Sequence, residues 1–126
     1  MRPVQTIILP ATLASASVNS NIIDLRQSVC FSLQAIGATG SLAGTVQLQI
    51  SNTPCTQSSF SNYVSVNSPV WTNIGTALTF NQSSTASSHI IAKQDSCYVA
   101  IRAVFTDTSG GTNTATLQLN LFALGV

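Results

Sequence analysis

Val46-Gln47-Leu48-Gln49-Ile50-Ser51 decides the fold: Val46, Leu48 and Ile50 are apolar, and Gln47, Gln49 and Ser51 are polar. Successive side chains of an extended chain point to opposite faces, so a repeat of two builds a strand with one face in a core and one in solvent. A helix would need apolar residues three and four apart, and no window of the chain offers that pattern convincingly. Upstream, Val29, Phe31, Leu33 and Ala35 alternate with Cys30, Ser32 and Gln34 in the same way. Gly37-Ala38-Thr39-Gly40 and Gly44 mark a loop or hairpin end between the two strands.

Downstream, Ser51-Asn52-Thr53-Pro54 is a turn signal, followed by a polar stretch from Cys55 to Ser68. Trp71 to Ile74 and Leu78 to Phe80 read as short strands around Gly75, and Asn81 to Ser88, almost wholly Ser, Thr, Asn and Gln, as an exposed loop. The last third reads as a hairpin. Cys97, Val99, Ile101, Ala103 and Phe105 share one face, Asp107 to Thr112 supply a glycine-bearing turn, and Ala115, Leu117, Leu119 and Leu121 alternate on the return. Short strands separated by turns predict an all-β fold: a single antiparallel β-sandwich or jelly-roll-like domain over residues 14–126. Residues 1–13 form an extended N-terminal segment, read as an arm or an edge strand.

Composition narrows the chemistry. Of 126 residues, 44% are hydrophobic and only 6% charged, with a net charge of +1 and no glutamate. That much apolar material excludes a disordered chain, and the lack of charge excludes a coiled coil. A field too weak to steer nucleic acid or anionic lipid predicts neither as a partner. No apolar run reaches the length of a membrane-spanning helix. Ser, Thr, Asn and Gln stand on the strand faces where Lys and Glu usually do. Charge ordinarily keeps exposed strand edges from pairing with other chains, so edges without it are expected to be covered by neighbouring subunits.

The N-terminal stretch carries Ala14-Ser15-Ala16, which imitates a signal-peptide cleavage site, but Gln5, Thr6 and Pro10 break its apolar region, so it reads as retained. Pro3 and Pro10 bracket Val4, Ile7, Ile8 and Leu9, where Ile7, Ile8 and Leu9 run consecutively instead of alternating. A run apolar on both sides suits a strand covered on both faces or one laid against a partner, which makes these four the candidate partner-binding residues.

Catalysis is not expected. The lone His89 could be grouped with Asp24, Asp95 or Asp107, but no nucleophile-elbow pattern seats a serine beside it. Asp107 reads as a turn residue, Asp24 as a partner of Arg26, and Arg102 as a partner of Asp95 or Asp107. Cys30, Cys55 and Cys97 lack metal-binding spacing, so neither metal nor cofactor is expected, and the odd count argues against a disulfide framework while leaving one bridge open. Phe60, Tyr63 and Trp71 are the candidate aromatic surface for a sugar, against the commoner role of tryptophan in a core.

Asp24 to Ile36, Gly44 to Asn52, Trp71 to Ile74, and Tyr98 to Thr106 followed by Thr108-Ser109-Gly110 occur in an order that resembles a recurring type of small tailed-bacteriophage structural protein. In that type a strand reading Q-x-Q-x-S-N precedes a W-x-x-I segment, and a Y-V-R strand leads through T-x-T-S-G to a last hydrophobic strand. This chain has Tyr98-Val99-Ala100-Ile101-Arg102 where that type has Tyr-Val-Arg directly. The resemblance spans about residues 22–122. It implies a virion component: a capsid decoration (cement) protein, a head fibre or a tail-associated module. Its partners would then be the major capsid (coat) protein and copies of itself, as a homo-oligomer such as a trimer. The alternative is a receptor- or carbohydrate-binding tail or fibre module.

Overall fold

A computed structural model describes residues 3–24, 28–52, 70–83, 87–94 and 100–125, and every regular element among them is a strand. These are β1 (Pro3–Leu13), β2 (Val18–Asn19), β3 (Ile23–Asp24), β4 (Ser28–Gly37), β5 (Leu42–Ser51), β6 (Thr72–Gln82), β7 (Ser87–Gln94), β8 (Ala100–Asp107) and β9 (Thr116–Gly125). They form two antiparallel sheets, ordered β1-β9-β4-β7 and β2-β8-β5-β6, with β3 also on β8. β2 and β3 act as two halves of one broken strand. Between them the Ser20 hydroxyl accepts the Ala103 N–H at 2.8 Å, and the Ser20 N–H donates to the Ala103 carbonyl at 2.8 Å. Counted so, eight strands pass from sheet to sheet at every step except β5 to β6. That is the jelly roll, two Greek keys wrapped into a sandwich.

The core lies between the sheets and is built by the period-two repeats. Phe31, Leu33 and Ala35 of β4 meet Leu117, Leu119, Leu121 and Ala123 of β9, and across from them lie Val46, Leu48, Ile101, Ala103 and Phe105. Burying a leucine or phenylalanine side chain contributes about 1.5–3 kcal/mol. β1 joins this core through Ile8 and Leu9, both buried, while Ile7 and Leu13 are each 53% exposed. The consecutive burial comes from an irregularity between Ile7 and Leu9, where one extra residue is inserted opposite β9. The freed Ile8 carbonyl accepts the Asn21 N–H at 2.8 Å, tying the margin of one sheet to the other.

Three expectations are corrected. β8 and β9 are not a hairpin, because they lie in different sheets and the segment after Asp107 crosses between them. Alternation gives each strand a buried face but does not say which strand lies beside it. Gly110 (φ 70°) and Gly111 (φ 86°) turn the chain there in the left-handed region that disfavours other residues. β6 is one strand running through Gly75, not two short ones. It holds a bulge opposite Val46–Leu48, whose Ile74 carbonyl is capped by the Gln47 side-chain amide at 3.0 Å. Finally, Asn81 and Gln82 end β6 while Ser87 and Ser88 begin β7, so both ends of the polar stretch are strand, and residues 84–86 between them lie outside the described residues. β6 and β7 are both outermost in their sheets, where a strand needs few apolar residues.

Candidate functional site

The outward side chains of β1, β9 and β4 line up by register. One rung runs Gln5–Phe122–Ser32, the next Ile7–Asn120–Gln34, and Gln118 pairs with Ile36 beyond them. The first two rungs and Gln118 border an open groove of about 530 Å³ with no charged residue among its described lining. Gln118 donates its amide to Asn120 Oδ1 at 2.8 Å, which fixes that carboxamide and turns its NH₂ away from Gln118. The side chains of Gln5, Ser32 and Gln34 make no hydrogen bond among the described residues, and Ser32, Gln34, Asn120 and Phe122 are half-buried.

The other sheet treats its outward amides differently. Gln47 donates to the carbonyls of Leu48 (2.9 Å) and Ile74 (3.0 Å). Gln49 donates to Asn73 Oδ1 at 2.9 Å and accepts from Arg102 Nε at 2.9 Å, while the Arg102 guanidinium lies 4.5 Å over the Trp71 ring. These contacts make the face a closed network, whereas the groove face is an open one.

Trp71 is therefore half-buried against Arg102, on the opposite sheet from the groove. Phe60 and Tyr63 lie outside the described residues, as do Arg26, Cys55, Asp95 and Cys97 and the side chains of Val4, Asp24 and His89. Arg102 does not pair with Asp107, whose carboxylate is already held by Ser109 N–H (2.8 Å), Ser109 Oγ–H (2.6 Å), Gly111 N–H (2.8 Å) and the Asn113 amide (3.1 Å). Partial burial lowers the Arg102 pKa, and the Ser109 hydroxyl, followed by the backbone N–H donors, lowers that of Asp107. Cys30 carries a free thiol on the outward side of β4. Among the described residues, no three His, Cys, Asp or Glu side chains gather as a metal set.

Sequence reading singled out neither Ser32, Gln34, Asn120 nor Phe122. The signal was present as polar positions alternating with apolar ones in Val29–Ala35 and Ala115–Leu121. What it lacked was the register that sets β9 between β1 and β4.

The sequence matches no protein-family model and no curated protein. Among solved structures, a chain from "CBM4 structure and function" aligns at 15% identity and TM-score 0.45, covering 86% of this chain and 61% of that one. A "Family 16 Carbohydrate Binding Module-2" aligns at 11% and 0.40, over 83% of this chain and 67% of that one. A chain of the infectious bursal disease virus Gx strain aligns at 12% and 0.40, over 97% of this chain and 33% of that one.

Proposed function

We propose that this chain is a non-enzymatic virion structural protein that decorates the capsid of a tailed bacteriophage, binding coat subunits through the margin formed by β1. One observation carries the reading: among the described residues β1 is an outermost strand, eleven residues long with no charged side chain, and it leaves Ile7 and Leu13 each 53% exposed. Edge strands of freely soluble proteins are usually shielded by charge, bulges or proline. Pro10 and the irregularities around it blunt part of β1, but Val4 to Leu9 contains no proline. A partner strand or apolar ledge laid against this margin would remove both side chains from water. Repetition over a symmetric shell multiplies many such modest contacts. The resemblance of the sequence to small tailed-phage structural proteins supports the same reading, as does the jelly roll, an architecture shared by many capsid domains.

The test is the double substitution Ile7→Gln with Leu13→Gln. Both positions are more than half exposed, so the domain should stay folded, with a stability change below about 1 kcal/mol. Incubated with shells lacking this chain, the variant should fail to reach the wild-type occupancy. Full occupancy by the variant would refute attachment through β1.

A further inference from the structure

We propose that the groove on the outer face of β4 and β9 is a binding site for a neutral carbohydrate chain, held by Ser32, Gln34, Asn120 and Phe122. The inference does not depend on shell attachment. Its four key residues lie on the two central strands of the sheet, although Ile7 of β1 borders both this groove and the proposed attachment margin.

The first argument is the contrast between the two outer faces. Outward amides of the second sheet are engaged by a bulge carbonyl, by Asn73 and by Arg102. On the groove face, Gln34 and Ser32 are half-buried with no hydrogen-bond partner among the described residues. Half-buried polar groups lose part of their hydration, and a ligand that supplies hydrogen bonds restores it. The Gln118–Asn120 bond at 2.8 Å orients Asn120 before any ligand arrives, which lowers the ordering cost of binding.

The second argument is chemical complementarity. A carboxamide presents a donor and an acceptor side by side, and a serine hydroxyl can act as either. Sugar hydroxyls are also both donor and acceptor, so a row of amides and a hydroxyl matches them. Among the described residues the groove is lined by none that is charged, which favours an uncharged ligand over a sulfated or uronic-acid chain. Phe122 stands in the same rung as Ser32 and offers an apolar surface on which the C–H face of a pyranose ring can rest. The volume, about 530 Å³, lies within the range of small-ligand sites, and the open form suits a chain passing through rather than an enclosed monosaccharide.

The test uses the full chain, isotope-labelled, titrated with neutral hexasaccharides of glucose, mannose and galactose and with an acidic oligogalacturonate. Binding of at least one neutral oligosaccharide is expected, with amide shifts concentrated at Ser32, Gln34, Asn120 and Phe122 and little response to the acidic one. Phe122→Ala and Asn120→Ala should each weaken binding by about tenfold, while Thr79→Ala on the opposite sheet should leave it unchanged. Should either groove variant fail to fold, the shift map of the wild-type protein still decides the matter. The proposal is overturned if no neutral oligosaccharide shifts those amides at about 10 mM, a concentration that would detect even weak sites. Shifts that cluster around Trp71 instead would overturn it equally. So would concentration-dependent self-association that buries the groove and is abolished by Phe122→Ala.

Discussion

Asn113 is one of few buried polar side chains among the described residues, and replacing it with alanine should unfasten one end of the sandwich. Its Oδ1 accepts the Ala43 N–H at 2.8 Å, and its amide donates to the carbonyls of Ala14 (2.8 Å) and Ala43 (3.1 Å) and to Asp107 Oδ1 (3.1 Å). One side chain thus joins the β1–β2 turn, the start of β5 and the β8–β9 crossover. Asn113→Ala loses three hydrogen bonds to backbone, each worth about 1 kcal/mol net, and leaves the Ala14 carbonyl dry at a further cost of about 1–2 kcal/mol. Water can reach the half-buried Ala43 groups, so no such extra cost applies to them. The expected loss is about 4–5 kcal/mol, or a fall in Tm of about 15–20 °C for a domain of this size. Thermal and urea unfolding followed by circular dichroism measure it, with Thr114→Ala as a control. Thr114 accepts the Ser41 N–H on an exposed surface and should cost less than about 1 kcal/mol. Asn113→Asp sharpens the test. The introduced carboxyl keeps an acceptor for Ala43 N–H but sets oxygen against two carbonyls and the Asp107 carboxylate. At neutral pH it should be worse than alanine, and it should recover as acid protonates it. An Asn113→Ala protein within about 1 kcal/mol of wild type would refute the reasoning.

Gly44→Ala should destabilise by about 1–3 kcal/mol, because the added Cβ would lie 2.5 Å from Phe105 Cε1 and 2.6 Å from the Thr106 carbonyl oxygen. An unchanged urea midpoint would show that this contact can relax. The Asp107 pKa is held below the usual carboxylate range, so its contribution is present above the unfolded-state pKa and lost as pH falls through the folded one. Asp107→Asn should therefore flatten the loss of stability between neutral pH and about pH 3, and an identical pH slope in both proteins would contradict it. With 6% charged residues, attachment to shells should survive about 1 M NaCl, where the Debye length is about 3 Å, and yield to urea. Release between about 0.1 and 0.5 M NaCl would show that charge dominates the contact.

The strands themselves were legible in the sequence because burial on one face demands a repeat of two, as in Phe31-Leu33-Ala35 and Val46-Leu48. Partnership between strands was not. Leu117, Leu119 and Leu121 would suit β8 as a neighbour as well as β1 and β4, and only the three-dimensional wrap of the crossover decides. The two ends of the polar run at Asn81–Ser88 read as loop although Asn81–Gln82 and Ser87–Ser88 are strand, because edge strands carry little apolar sequence and composition alone confuses the two. At the candidate site, Gln34 and Asn120 were visible as outward positions. Their meeting across β4 and β9 depends on register, which no local pattern encodes. Arg102 was read through charge and looked for a carboxylate. The structure gives it an amide and an indole ring instead.

The most direct measurement is the copy number of this chain in purified particles, determined against the major coat protein by quantitative mass spectrometry. A capsid decoration role predicts a fixed ratio to the coat subunit across the shell, lowered for the Ile7→Gln, Leu13→Gln protein. A few copies per particle, or none, would contradict it.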